Sequence, residues 1–156
     1  KIIMLRRIII GKKDLVDFPK LNLFDVPVKI DSGAYTSTIH CYKAKEIVVD
    51  GKEKLECHFL SQKHKNHEDG IFIFDEFNER KVKSSNGLSE IRYSIKTKIE
   101  LFNELYTIEL TLSKRSSMRY RVLLGRKFLN NKFIIDTTKT NLSQKNIIQY
   151  YNLETK

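Results

Sequence analysis

An acidic residue, a hydroxyl residue and a glycine follow one another at the end of an alternating strand pattern. Residues 28–34 read VKIDSGA, so apolar and polar side chains alternate up to Asp31, and Ser32 and Gly33 come next. A strand would carry the carboxylate to its end, the hydroxyl could bond across to a neighbour, and the glycine lets the backbone turn sharply. A pair of such carboxylates can activate water for hydrolysis. Since the chain has one good copy of the motif, a second chain is implied.

Two hairpins are predicted on either side of the middle of the chain. Apolar and polar residues alternate through much of residues 46–59, and an Asp-Gly dipeptide interrupts the alternation. They alternate again late in residues 80–101, after an Asn-Gly dipeptide. Both dipeptides supply the positive φ that a tight type I′ turn requires. Each segment therefore predicts two antiparallel strands joined by a turn.

A continuous apolar run at residues 122–124 is typical of a strand buried on both faces, and Gly125 ends it. Residues 126–130 are predicted to form one short helix. The sum predicts an all-β fold of eight to ten strands, closed or nearly closed into a barrel, with one short helix after Gly125 and Arg126. Other strands are predicted over residues 2–10, 26–30, 71–77, 106–112 and 133–135.

Composition and length restrict the class of protein. The chain has 156 residues, of which 40% are hydrophobic and 31% are charged, and glycine and proline are sparse. One folded domain over residues 1–156 is therefore predicted, with no linker. No run of about 18 apolar residues occurs, so no membrane association is expected. The chain begins at Lys1 rather than Met, so we expect that its start has been trimmed. Removal of a leader peptide stays one alternative.

The formal net charge of +10 favours anionic partners. Acidic peptides, nucleic acids and anionic lipids all fit this charge. The basic residues are spread along the chain, and the aromatic-basic pattern of an RNA-binding sheet is missing from the sequence. We therefore expect no nucleic acid partner. Two interpretations of the positive charge remain, which are an acidic peptide partner and a basic surface that is simply solvated.

The cysteines and histidines predict neither a disulfide framework nor a metal site. Cys41 and Cys57 are two thiols without a CxxC motif, which is typical of isolated, semi-buried thiols in a reducing compartment. This predicts a cytoplasmic protein. His64 and His67 lie in a polar run, residues 61–70, that is predicted to be a loop. No paired metal-ligand spacing accompanies them, so neither a metal nor a cofactor is predicted.

Two segments together resemble the retropepsins, the viral-type aspartic proteases. The first is the Asp-Ser-Gly-Ala sequence at residues 31–34, and the second is the run 122–126, which resembles the hydrophobic-hydrophobic-Gly-Arg segment of that family. In retropepsins the glycine ends a buried strand, and the arginine starts the short helix and holds the loop near the catalytic motif. The resemblance therefore implies that Gly125 and Arg126 are structural, with an ion pair from Arg126 to Asp25 or to another acid.

The chain is more closely similar to a bacterial retropepsin-like family that is often labelled "ATP-dependent zinc protease". Residues 31–40 (DSGAYTSTIH) and 80–87 (RKVKSSNG) resemble two signatures of that family, and segments 124–126 and 133–136 complete the pattern. The resemblance implies a core of about residues 9–142 and leaves the tail 143–156 unplaced. Family members are commonly encoded beside a ribosomal-protein glutamate ligase of the RimK type. The zinc and ATP of the label find no support here, because a Walker A loop and a metal-ligand pattern are both missing from the sequence.

The resemblance implies an aspartic endopeptidase that acts as a homodimer with its site on the two-fold axis. Asp31 from each chain would activate a water, Ser32 would bond across the axis, Gly33 would allow close backbone approach, and Ala34 would pack beneath. The hairpin around residues 84–87 would close over an extended peptide as a flap. The predicted catalytic residues are thus Asp31, Ser32 and Gly33, and the predicted substrate-binding residues are Ala34, Arg80, Lys83, Ser84, Ser85, Asn86, Gly87 and Arg92.

The positive charge and the family link to glutamate ligation favour a glutamate-rich or oligo-glutamate peptide as substrate. Two alternatives remain open at this point. One is a catalytically silent basic module that binds an acidic peptide or nucleic acid on the same fold. The other is a zinc hydrolase.

Overall fold

Thirteen strands and one short α-helix make up most of the computed structural model, which describes residues 3–59, 70–83, 86–114 and 118–155. A 3-10 turn at Pro19–Leu21 joins the second and third strands. The helix is α1 (Arg126–Leu129). The strands are β1 (Ile3–Ile10), β2 (Lys13–Phe18), β3 (Leu23–Ile30), β4 (Ser37–His40), β5 (Lys43–Val49), β6 (Lys52–His58), β7 (Ile71–Phe74), β8 (Asn78–Lys83), β9 (Ser89–Leu101), β10 (Glu104–Ser113), β11 (Val122–Leu124), β12 (Phe133–Ile135) and β13 (Tyr150–Thr155).

Six of these strands close into a barrel. Their hydrogen-bonded order is β10, β4, β11, β3, β2 and β9, and the pairing of β9 with β10 completes the circle. β8 extends the sheet beyond β9. The predicted all-β closed barrel with one short helix is confirmed. The described residues contain more strands than the eight to ten predicted, because β2, β4 and β13 form where the sequence showed no strand pattern.

Two smaller sheets flank the barrel. β5, β6 and β7 form an antiparallel sheet, and β1 lies between β12 and β13 in the other. β13 pairs with β1 from Ile3↔Thr155 to Ile8↔Tyr150, so part of the tail that the sequence left unplaced completes this sheet. The buried carboxylate of Asp14 holds the segment that precedes β13. It accepts hydrogen bonds from the amides of Ser143 and Gln144 at 2.9 and 3.1 Å.

Alternation of burial along the strands builds the core. In β3, Val28 and Ile30 are buried while Lys29 between them is exposed. In β11, Val122 and Leu124 are buried, but Leu123 is only half-buried. The prediction that this apolar run is buried on both faces is therefore wrong, because one face of β11 lines a surface pocket that is described below.

The two predicted hairpins both form, but their turns differ. Asp50 and Gly51 have φ values of +52° and +79°, as a type I′ turn requires. β8 and β9 pair from Asn78↔Ser94 to Lys83↔Ser89, so residues 84–88 link them. Gly87 has φ +84°, but the register Lys83↔Ser89 leaves five residues between the two strands, so a longer loop replaces the predicted two-residue type I′ turn.

Cys41 and Cys57 are free, and both are buried. Their thiols hydrogen-bond to each other, and the thiol of Cys41 also donates to the carbonyl of Lys43 at 3.0 Å. The bond to Cys57 lowers the pKa of the Cys41 thiol, against the effect of burial, and raises that of Cys57 together with burial. The sequence suggested isolated thiols, but the two thiols are neighbours.

Within the described segments, none of the helices has the length and apolar character needed to cross a membrane.

Candidate active site

Asp31 stands at the end of a barrel strand. β3 pairs in parallel with β11, with Ile30 opposite Leu124, and the Asp31 amide continues the ladder by donating to the Leu124 carbonyl at 2.9 Å. The next residues leave the sheet, where Asp31 is half-buried and Ser32 and Gly33 are exposed. The alternating pattern therefore does what the sequence predicts, which is to deliver a carboxylate to the edge of the barrel.

The turn after β3 orients this carboxylate. The Gly33 amide donates to Oδ1 of Asp31 at 3.0 Å, and the Ala34 amide donates to the Asp31 carbonyl at 3.3 Å. Gly33 does not have a positive φ, so its backbone does not require glycine. A Cβ at this position would instead lie 3.3 Å from Asp31 Oδ1, which is tighter than ordinary contact. Gly33 thus keeps space free beside the carboxylate.

The start of α1 also holds this turn, through backbone hydrogen bonds. The amides of Arg126 and Lys127 donate to the carbonyls of Ala34 and Tyr35, both at 2.9 Å. Because the helix start lies so close, a Cβ on Gly125 would lie 2.7 Å from the Tyr35 carbonyl oxygen. This contact leaves no room for a side chain at position 125.

Arg126 holds the turn through its side chain as well. Its Nη1 donates to the carbonyl of Ser32 at 2.9 Å, and its guanidinium lies 5.7 Å from the centre of the Tyr35 ring. The predicted ion pair with Asp25 or another acid is therefore corrected: the guanidinium binds the backbone of the turn that carries Asp31. The physical reason is that the turn presents a carbonyl, an uncharged acceptor, toward the helix start.

A pocket of about 700 Å³ opens beside Asp31. Its walls come mainly from β3, β11, the start of β2 and the segment before β11. Four cationic side chains line it, and Asp31 is its one acidic residue among the described lining residues. These are Lys12, Lys13, Lys29, Ile30, Asp31, Met118, Arg119, Tyr120 and Leu123.

Two of the predicted substrate-binding cations are already paired. Arg80 on β8 binds both carboxylate oxygens of Glu109, at 2.9 and 3.2 Å, and Arg92 binds Glu90. These ion pairs do not test contact with a substrate, so the predicted substrate-binding roles of Arg80 and Arg92 stay predictions. Lys83 is exposed at the end of β8.

The flap loop is described only in part. Asn86 and Gly87 are exposed, and Oδ1 of Asn86 accepts a hydrogen bond from the amide of Leu88 at 3.3 Å. Ser84 and Ser85 lie outside the described residues. The predicted contacts of Ser84 to Gly87 with a substrate therefore stay predictions.

Glu109 is a largely buried acidic residue that the sequence reasoning missed, and it binds the helix whose start holds the turn of Asp31. Its carboxylate is 8% exposed, accepts from Arg80 and from Lys127 at 2.8 Å, and lies 3.4 Å from the Ser94 hydroxyl. Burial alone would raise the pKa of Glu109, but the hydrogen bonds and charges of the two cations outweigh it and hold the pKa below its ordinary value. The available signal was an acid between Ile108 and Leu110 in an apolar strand.

Within the described segments, no three His, Cys, Asp or Glu side chains are grouped as metal ligands would be. His64 and His67 lie outside the described residues. His40, which ends the Asp-Ser-Gly signature, is buried at the end of β4. The described part of the chain therefore offers carboxylate chemistry at Asp31 and cationic side chains around it.

Comparison with known proteins identifies the class of this fold and site. Residues 9–146 match the family model described as "Retropepsin-like aspartic endopeptidase RimB". The chain belongs to this RimB-like retropepsin family, as the sequence motifs predicted. A crystal structure of Lpg0085 from Legionella pneumophila, titled as a protein of unknown function, shares the fold with a TM-score of 0.66. The similarity covers 86% of this chain and 97% of that one at 24% sequence identity.

Curated relatives carry a different name. Proteins from Shewanella pealeana and Desulfotalea psychrophila, both named "Probable alpha-L-glutamate ligase", are each 35% identical to this chain, over 86% and 82% of its length. A protein of the same name from Shewanella halifaxensis is 34% identical over 94% of the chain. The matched regions span 29%, 28% and 32% of these relatives, so the chain corresponds to less than a third of each.

Proposed function

We propose that this chain is an aspartic endopeptidase that acts as a homodimer. The observation that carries the proposal is the position of Asp31, at the end of a barrel strand and with its carboxylate oriented by the Gly33 amide. Arg126 and the start of α1 hold the same turn. Membership of the retropepsin-like family supports this assignment.

One such carboxylate is not sufficient for the reaction. Two Asp31 side chains, one from each protomer, would meet on a two-fold axis about 3 Å apart, and so close together they share one proton. The ionised carboxyl takes a proton from a bound water, and the water oxygen attacks the peptide carbonyl. The protonated carboxyl donates to that carbonyl oxygen. The product of this step is a gem-diol, which collapses with cleavage of the C–N bond as the amine leaves with a proton.

The remaining predicted residues support these two carboxylates. The exposed Ser32 hydroxyl bonds across the axis to the other turn, and Ala34 packs beneath the carboxylate. The loop between β8 and β9 closes over an extended peptide and excludes water. The peptide pairs through its backbone with the flap and the barrel edge, as an added strand does.

An acidic peptide is the substrate class that the site favours. The pocket beside Asp31 carries four cationic side chains, and the chain has a net charge of +10. Such a surface attracts anionic ligands and raises their rate of encounter. The similarity to proteins named as glutamate ligases supports glutamate as the acidic residue. We therefore propose peptides rich in glutamate, including oligo-glutamate tails, as substrates.

The test is the Asp31→Asn variant, assayed for cleavage of glutamate-rich peptides. We expect a loss of at least about 10³-fold in kcat, because the amide cannot exchange the proton that the mechanism requires. Asp50→Asn is the matched control, since Asp50 lies in the exposed turn between β5 and β6 and asparagine tolerates its positive φ of +52°. Unchanged cleavage by Asp31→Asn would show that the aspartic mechanism is wrong.

The same assay separates the alternatives. A silent basic module would bind acidic peptides but cleave none of them, with or without Asp31. A zinc hydrolase would lose its activity when a chelator is added, whereas the proposed peptidase retains it.

A further inference from the structure

Three neighbouring strands place two lysines and a leucine in one row across the pocket beside Asp31. Lys29 on β3 lies opposite Lys13 on β2 and opposite Leu123 on β11. Residues directly opposite each other in a sheet point to the same face, and so do residues two apart along a strand. The row therefore lies on the same face of the sheet as Asp31.

We propose that Lys13, Lys29 and Leu123 form a subsite that binds the glutamate side chain next to the scissile bond. This inference rests on the proposed function. It deepens that function by assigning the recognition of the acidic side chain to these three residues and not to the flap cations Arg80 and Arg92.

The two lysines are arranged at a cost to the fold. Like charges directly opposite each other on a sheet destabilise it. In the described part of the chain, no carboxylate forms an ion pair with Lys13 or Lys29. Asp14, the nearest acid in sequence to Lys13, is buried and bound to the amides of the tail. Asp31 is the one carboxylate among the described residues of this pocket, against four cationic side chains, so a bound anion would supply further counter-charge.

The row is also amphipathic in the way that a glutamate side chain is. Leu123 is half-buried and offers an apolar surface, while Lys29 lies on the adjacent strand β3 and Lys13 on the next strand, β2. The two methylenes of glutamate can pack on Leu123 while the carboxylate reaches the ammonium groups. Aspartate is one methylene shorter, and glutamine has the same shape without the charge. The subsite should therefore rank glutamate above both.

The first experiment compares peptides that differ only by glutamate or glutamine at each position flanking the cleaved bond. We expect a preference for glutamate of about tenfold in kcat/KM at one flanking position, since two cations face one carboxylate. Lys29→Gln and Lys13→Gln should each reduce this preference about fivefold. Lys20→Gln is the control, because Lys20 is exposed on the 3-10 turn, away from the pocket, and should leave the preference unchanged.

A charge reversal gives a gain-of-function test that loss of folding cannot imitate. Lys29→Glu should prefer lysine over glutamate at the same peptide position. If wild-type protein cleaves glutamate and glutamine peptides equally, or if the lysine variants keep the full preference, the subsite is wrong although the peptidase assignment stands.

Binding to the uncleaving Asp31→Asn protein separates the two proposals. Fluorescence anisotropy with a labelled glutamate peptide and its glutamine counterpart should show the same order of affinity, and Lys29→Gln should remove it. If wild-type protein cleaves no peptide, the proposed peptidase function fails, but the anisotropy measurement still tests the subsite. Equal affinity for the glutamate and glutamine peptides would overturn the subsite.

Discussion

Gly33 and Gly125 lie close to the same turn but exclude side chains for different reasons. At Gly125 the obstacles are backbone carbonyls of Tyr35 and Thr36, which would lie 2.7 and 2.6 Å from a Cβ. Backbone cannot rotate away, so either the turn or the helix start must move. At Gly33 the neighbour is Oδ1 of Asp31 at 3.3 Å, and a side-chain oxygen can shift by a few tenths of an ångström. One glycine therefore protects the fold and the other protects the geometry of the carboxylate.

This difference predicts that one alanine substitution mainly lowers stability and the other mainly lowers activity. Gly125→Ala should destabilise the protein by about 3 kcal/mol, in the range of overpacked cores. Gly33→Ala should cost less than about 1 kcal/mol in stability but reduce kcat, because the Asp31 carboxylate must turn. Urea unfolding and peptidase kinetics on both variants measure the two effects. Equal loss of stability in the two variants would contradict this account.

At the scale of elements, Glu109 joins three parts of the molecule that are distant in sequence. It lies on β10, and its carboxylate binds Arg80 of β8 and Lys127 of α1. The same helix start holds the turn of Asp31. Glu109 therefore connects the β8–β9 hairpin to α1, the element that holds the turn of Asp31.

Glu109→Gln should lower the free energy of unfolding by about 1–2 kcal/mol at neutral pH. Hydrogen bonds between charged groups contribute this much, and the cations left behind are 45% and 46% exposed, so water solvates them. Glu53→Gln is a control at an exposed position on β6. Urea unfolding measures both.

The pH dependence of this difference follows from the lowered pKa of Glu109. A carboxyl whose pKa is lower in the folded state stabilises the protein fully above its ordinary pKa, and the contribution disappears as pH falls through the folded value. The gap in stability between wild type and Glu109→Gln should therefore narrow below about pH 4 and persist at neutral pH. A gap that stays constant with pH would show that the charge of Glu109 is not its source.

At the scale of the whole molecule, the proposed reaction requires two copies of Asp31, and residues 1–156 contain the Asp-Ser-Gly sequence once, so a second chain supplies the other copy. Activity per chain should fall on dilution as dimers dissociate, and sedimentation should show the change of mass over the same concentrations. Mixing equal amounts of wild type and Asp31→Asn after subunit exchange should leave about a quarter of the dimers with two aspartates. Activity of about one half would instead indicate independent protomers.

Local patterns in the sequence were sufficient for much of the fold. The alternation that ends at Asp31, the Asp50-Gly51 turn and the long strand β9 are each specified by neighbouring residues. β4 was missed because all four of its residues, Ser37–His40, are buried and no alternation is visible. Its hydroxyls find partners far along the chain, as Thr38 does with Thr111 at 2.9 Å.

The sequence alone determined the class of the fold, the position of the candidate catalytic aspartate and the membership of the family, because these depend on short motifs and on residue periodicity. The tertiary structure decided which group each charged side chain faces. Arg80 binds the carboxylate of Glu109, Arg126 binds the Ser32 carbonyl, and Lys13 lies opposite Lys29. These contacts join residues 16 to 94 positions apart, and their partners are selected by strand register and barrel closure, which no local pattern contains.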